Sequence, residues 1–213
     1  MDDNDSERPL SRGQMRRRAM LDAAWDAVLD KGFSGITLND IIRRSGGSRA
    51  TLYQNFGDKT GLLAEMLRER CKEFESQLQI SLDTTRDPSE ALLQFAVTIG
   101  EKLSQTEVIR FNHLLLTEGH HFPDVVEMFM CHGPKSTEQE LAKYLASLAA
   151  IGKLKIDDPN QAASLFIAML VGQWTNGLTN HTLKDKSLKA YEAEVNRRVR
   201  AATTLFLSGA LPR

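Results

Sequence analysis

The stretch SRATLYQNFGDKTGLL, Ser48–Leu63, gathers Ser48, Arg49, Thr51, Tyr53, Gln54 and Lys59 within twelve residues. These side chains donate and accept hydrogen bonds and carry positive charge. The chain has no Gly-rich phosphate loop, no nucleophile motif and no paired-ligand motif of the H-E-x-x-H kind. An enzyme is not expected, and neither is a cofactor. The types suit recognition instead. Arginine bonds guanine through two donors, and glutamine bonds adenine in the same bidentate way, along the major groove of B-DNA. Residues early in a recognition helix meet base edges. Arg49 and Gln54, with Ser48, Ala50 and Thr51, are therefore the base-facing candidates. The methyl of Ala50 either meets a thymine methyl or only narrows the approach. Ser48 also suits the bland role of a helix cap.

Charge is distributed to match. The net charge is −1, yet Arg8 to Gly61 carries ten basic against five acidic residues, and the first seven residues carry four acids and no base. A basic block in an otherwise acidic chain marks a polyanion-binding module or a solvated surface. The RPLSRGQMRRR segment reads as a basic arm for a minor groove or as a flexible tail giving nonspecific attraction.

The elements that must position these residues are helices throughout. Met20, Leu21, Ala24 and Val28 repeat at helical spacing and predict a helix over 16–31, stopped at Gly32. Thr37 with Asp40 three residues later has the form of a capping box and starts a second helix whose buried face is Leu38, Ile41 and Ile42. Thr37 thereby places a helix N-terminus where free amides attract a phosphate; simple capping explains it equally. Gly46-Gly47 permits a tight turn, and a third helix runs over 48–56 with Leu52 and Phe56 inward. Asp58 caps a fourth helix to about Leu82, putting Lys59 at its start as a phosphate clamp. Three helices with a Gly-containing turn before the third match a helix-turn-helix. Further helices are predicted over 89–105, 108–118, 123–130, 135–151, 159–178 and 188–207.

The chain of 213 residues, 41% hydrophobic, suits one large or two small domains with a packed core. No run approaches the roughly 18 apolar residues of a membrane span, and the N-terminus lacks a signal core. Cys71 and Cys131 lie far apart without framework spacing. These features predict a reduced, cytoplasmic protein with no membrane partner.

The segments AAWDAVLDKGF, TLNDIIRRSGGS and TLYQNFGDKTGLL resemble the TetR-type transcriptional regulators, the Thr-Leu-Tyr-x-x-Phe-x-x-Lys-x-x-Leu-Leu run most specifically. LLLTEGHHFPDVVEMFMCHGP and LKIDDPNQAA resemble the C-terminal half of an AefR-like subgroup. The resemblance implies an all-α bacterial homodimer, with a flexible arm at 1–14, a helix-turn-helix domain at 15–60 and a helical effector-binding and dimerisation domain at 61–213. It implies a repressor of a palindromic operator on double-stranded DNA, released by a small-molecule effector. An activator, an effector-independent DNA-binding protein and a metal-responsive sensor stay open. It also implies that Tyr53 donates to a phosphate and that Arg43 and Arg44 lie near the DNA backbone. Ile42 and Gly47 depart from the family pattern, large for small and small for large, and suggest a volume swap inside one contact.

In the C-terminal half, the candidate pocket residues are Phe95, Ile99, Phe111, His113, Leu114, Phe122, Met128, Phe129, Met169, Gln173 and Trp174. Each is also a plausible core residue. The segment AASLFIAMLVGQWTNGL is apolar nearly all round, and the last helix carries an apolar stripe, so one candidate dimer interface is Leu165, Met169, Val171, Trp174, Tyr191, Val195, Val199, Ala202 and Phe206. The cluster of His113, His120, His121, Cys131 and His132 has metal-ligand types but no ligand spacing, and no metal is expected.

Overall fold

The computed structural model describes residues 11–179 and 188–210, without the side chains of 173–179 and 188–192. The described residues are helical, without strands: α1 Arg12–Gly35, α2 Leu38–Ser45, α3 Arg49–Phe56, α4 Lys59–Ser81, α5 Pro88–Ser104, α6 Thr106–Glu118, α7 Pro123–Met130, α8 Ser136–Ala150, α9 Pro159–Thr179 and α10 Leu188–Ala210. A 3-10 turn, Gly119–His121, precedes α7, and a π-helical turn, Cys131–Lys135, joins α7 to α8. Pro134 lies inside that turn; proline lacks the N–H that a regular helix needs and disfavours α geometry in the preceding turn.

Local chemistry sets the ends. Thr37 Oγ1 accepts from the Asp40 amide, and the Asp40 carboxylate accepts from the Thr37 amide, closing the predicted capping box of α2. Asp58 caps α4 through Gly61 without a reciprocal partner. Gly32 interrupts α1 with φ 74°, a left-handed conformation that favours glycine. A Cβ there would lie 2.1 Å from Glu118 Oε1, so the break also gives α6 room. One expectation is corrected at the start of α1. Ser11 and Gln14 form a capping box, and the helix begins at Arg12, so residues 12–14 are helix and not arm.

Among the described residues, two cores hold the helices together. One joins Met20, Val28, Phe33, Ile41, Leu52, Phe56 and Leu63 of the first four helices to Phe111 and Val125. The other packs Phe95 and Ile99 of α5 with Leu141, Leu145, Phe166, Val199 and Leu207. Helix α4 contributes Met66 and Leu67 to the first and Leu78 to the second. The first core therefore crosses the expected boundary at residue 60.

Candidate nucleic-acid interface

Helix α3 has an inward and an outward face. Leu52 is fully buried and Phe56 nearly so, at i, i+4. The same period puts Arg49, Ala50, Tyr53 and Gln54 outward, and all four are exposed. Tyr53 is 49% exposed despite its large ring. The helix is held by close approach as well as by burial. A Cβ on Gly61 would lie 2.1 Å from the Phe56 carbonyl oxygen, so only glycine lets α4 start against the end of α3.

The donors around this face divide into engaged and open groups. Ser48 Oγ accepts from the Thr51 amide at 3.1 Å and pairs with Thr51 Oγ1 at 2.8 Å. Both hydroxyls thus serve the cap first. Arg49 Nη2 donates to Asn39 Oδ1 at 2.7 Å. Arg43 remains widely exposed, with one long contact of 3.4 Å to Asp40. Gln54 and Tyr53 are exposed, and Asn55 donates to the Thr51 carbonyl at 2.7 Å.

Three of the residues expected to meet phosphates have partners within the chain. Lys59 turns inward: its Nζ donates to the Phe33 carbonyl at 2.8 Å and sits 5.9 Å from the centre of the Phe122 ring. Burial lowers its pKa, and nearby Glu118 opposes the shift. Arg44 turns back to Asp30 at 2.8 Å. Thr37 gives both its amide and its hydroxyl proton to Asp40 Oδ2, at 3.1 and 2.8 Å. Lys31 also reaches Asp40 at 2.7 Å. These bonds hold the Asp40 carboxyl well below the usual carboxylate range. The amides left open at the start of α2 are those of Leu38 and Asn39.

The space at Gly47 is filled from α1. A Cβ there would lie 2.2 Å from Met20 Cε, and Met20 is fully buried. Ile42 packs against the same core, but the atoms nearest that Cβ belong to Met20 and Ser45. Met20 belongs to α1, twenty-seven residues earlier, and nothing in local sequence marks it as the filler. Asn39 was missed for a similar reason. Its signal was its place at the second position of α2, ten residues before Arg49.

The head is tied from below by α6. Arg110 donates to the Leu29 carbonyl at 2.6 Å, and the Ser34 amide donates to Glu118 at 3.0 Å. Trp25 Nε1 donates to Glu107 at 3.3 Å. Phe111 packs on Trp25, Phe33 and Phe129, with ring centres 5.0, 5.9 and 5.3 Å apart.

The described members of the expected pocket are divided between two cores and the surface. Phe95 and Ile99 lie in one core; Phe111, Leu114, Phe122 and Phe129 lie in or against the other. His113 is exposed and Met128 half-buried. Met169 lines a groove of about 480 Å³ with Lys155, Leu165, Leu205 and Phe206. The side chains of Gln173, Trp174 and Tyr191 lie outside the described residues. Several residues of the expected interface pack within the chain. Val199 and Ala202 are buried within the chain, and Val195 and Val199 rest on Gly100 of α5. Phe206 stacks on Phe166 at 4.7 Å, while Val171 and Met169 pack against the same core. Among the described side chains of α9 and α10, the large apolar ones left open are Leu165 at 59% and Leu205 at 67% exposure. Among the described residues no three His, Cys, Asp or Glu side chains converge on a metal position. No helix among them is long and apolar enough to cross a membrane.

Comparison with known proteins agrees with this architecture. The profile "Bacterial regulatory proteins, tetR family" matches residues 20–66. The profile "AefR-like transcriptional repressor, C-terminal domain" matches residues 90–209. The HTH-type transcriptional regulator YvkB of Bacillus subtilis strain 168 is 24% identical over 193 residues, covering 90% of this chain and 95% of that one. A TetR-family regulator from Mesorhizobium loti superposes with a TM-score of 0.81 at 22% identity, over 95% of this chain and 100% of that one. The flavonoid-responsive regulator FrrA superposes with a TM-score of 0.73 at 28% identity, over 93% and 98%. With an outward-facing third helix, a matching N-terminal profile and a C-terminal profile spanning more than half its length, the chain belongs to the TetR family and is a DNA-binding transcriptional regulator with an AefR-like C-terminal domain.

Proposed function

We propose that the protein is a homodimeric repressor that binds a roughly palindromic operator and leaves it when a small molecule binds the C-terminal domain. One observation carries the DNA reading: α3 keeps Arg49, Tyr53 and Gln54 outward while its apolar side chains are consumed by the core. Such a face fits the major groove, where base edges are distinguishable. Phosphate contacts fall to Tyr53, Arg43 and the open amides at the start of α2.

Leu165 and Leu205 support the dimer. Two large exposed aliphatic side chains on the last two helices suit a two-fold, self-complementary contact. Release follows from the ties between α1 and α6. A ligand that displaces α6 pulls on Leu29, Phe33 and Ser34, at the end of the helix on which the reading head is built. Its leverage is its differential affinity for the two arrangements. The flavonoid response of FrrA favours a ligand-released regulator over an effector-independent one, with an aromatic small molecule as the first class to test.

The test is selection of duplexes from a random pool, followed by footprinting. A protected site with two inverted half-sites one helical turn apart, or a multiple of that, supports the reading. Single asymmetric half-sites overturn the dimeric operator.

A further inference from the structure

We propose that Asn39 is a positioning residue for base readout: it holds the Arg49 guanidinium in one orientation, so that Arg49 presents a fixed edge to the groove. The inference rests on the reading of α3 as the groove-reading helix.

Arg49 Nη2 donates to Asn39 Oδ1 at 2.7 Å, across the turn between α2 and α3. Both residues are exposed, so burial does not force the bond. The choice of partner distinguishes Arg49 from its neighbours. Arg43 and Arg44 lean on the carboxylates of Asp40 and Asp30. Arg49 leans on a neutral amide. A carboxylate in that place would cancel the guanidinium charge and repel phosphates. The amide oxygen fixes geometry and leaves the charge intact.

The chemistry fits bidentate readout. A guanidinium has five N–H donors in a rigid fork. One bond to Asn39 leaves a parallel pair free for the O6 and N7 acceptors of guanine. A free arginine must lose rotamer freedom when it docks; one already held loses less. The Asn39 side chain therefore sharpens discrimination at the base pair read by Arg49, while any phosphate contact at this residue belongs to its backbone amide.

The experiment uses the full chain. Its preferred duplex is selected from a random pool, and binding is measured to every single base-pair substitution of that duplex. Arg49→Ala is expected to reduce discrimination at one base pair by about tenfold or more. Asn39→Ala is expected to reduce it several-fold at the same base pair. Alanine keeps the backbone amide at this position, so affinity of that variant for bulk competitor DNA, its salt slope and its Tm stay at the wild-type values. Asn39→Asp retains an acceptor oxygen and is expected to restore discrimination there, at lower overall affinity. The double variant is expected to be no worse than Arg49→Ala. If Asn39→Ala acts at a different base pair, or its loss adds to that of Arg49→Ala, the pairing is overturned while the groove reading stands. If the wild-type chain prefers no duplex, the groove reading falls and the pairing with it.

Discussion

Gly47 has no need of a left-handed backbone; what it lacks is room, because Met20 fills the place where a side chain would start. Gly47→Val is expected to destabilise the chain by about 1–3 kcal/mol through overpacking. Met20→Ala empties the same space and costs about 2–5 kcal/mol alone. In the double variant the two losses are expected to sum to less than their separate values, read by denaturant unfolding. Ile42→Ala, which leaves Met20 in place, is expected to give no such relief. Lys59 is a second residue whose role follows from its partner. With its ammonium bonded to the Phe33 carbonyl, Lys59→Ala is expected to lower Tm and leave the salt dependence of DNA binding unchanged. A flattened salt slope would return Lys59 to the phosphates.

At the scale of the element, the N-terminus of α2 depends on one reciprocal cap. Thr37→Ala removes the acceptor for the Asp40 amide and is expected to cost about 1 kcal/mol. Asp40 adds a pH dependence. Lys31 and the Thr37 hydroxyl favour its ionised form, so its pKa is lower folded than unfolded. Its contribution is present in full above the ordinary aspartate pKa of about 3.9 and is lost as pH falls from there towards the folded value. Thermal unfolding followed from pH 5 downward is expected to show a steeper acid loss for the wild type than for Asp40→Asn. An equal slope would remove Asp40 as a source of the acid sensitivity. The helix ends themselves were largely legible, because Thr37, Ser48, Asp58 and Pro159 announce them by local chemistry alone. Ser11 with Gln14 announces one too, yet the run of arginines that follows obscured it as a basic tail.

At the scale of the molecule, the apolar faces of α9 and α10 are divided between the chain's own core and the surface. Val199 faces α5, so Val199→Ala is expected to lower stability without changing assembly. Leu165 and Leu205 face outward. Leu165→Glu with Leu205→Glu is expected to yield a folded monomer in sedimentation analysis, with operator affinity reduced about 100-fold or more by loss of paired reading heads. A dimer that survives both charges would place the interface on another face.

Sequence alone established the helical fold, the helix-turn-helix and the residues on its outward face. Each of these depends on spacing within one helix or one turn: Leu52 with Phe56, Thr37 with Asp40, Arg49 beside Ala50 and four residues before Tyr53. Tertiary structure alone decided which polar groups are free. Lys59, Arg44 and Thr37 have the right types and places for phosphates, but Phe33, Asp30 and Asp40 claim them first. It also decided which apolar side chains stay exposed, because α5 covers one side of α10 and leaves Leu205 open. The physical reason is common to both. A side chain's type limits what it can bind, but its partner is whatever distant segment folds against it, and that contact has no period along the chain.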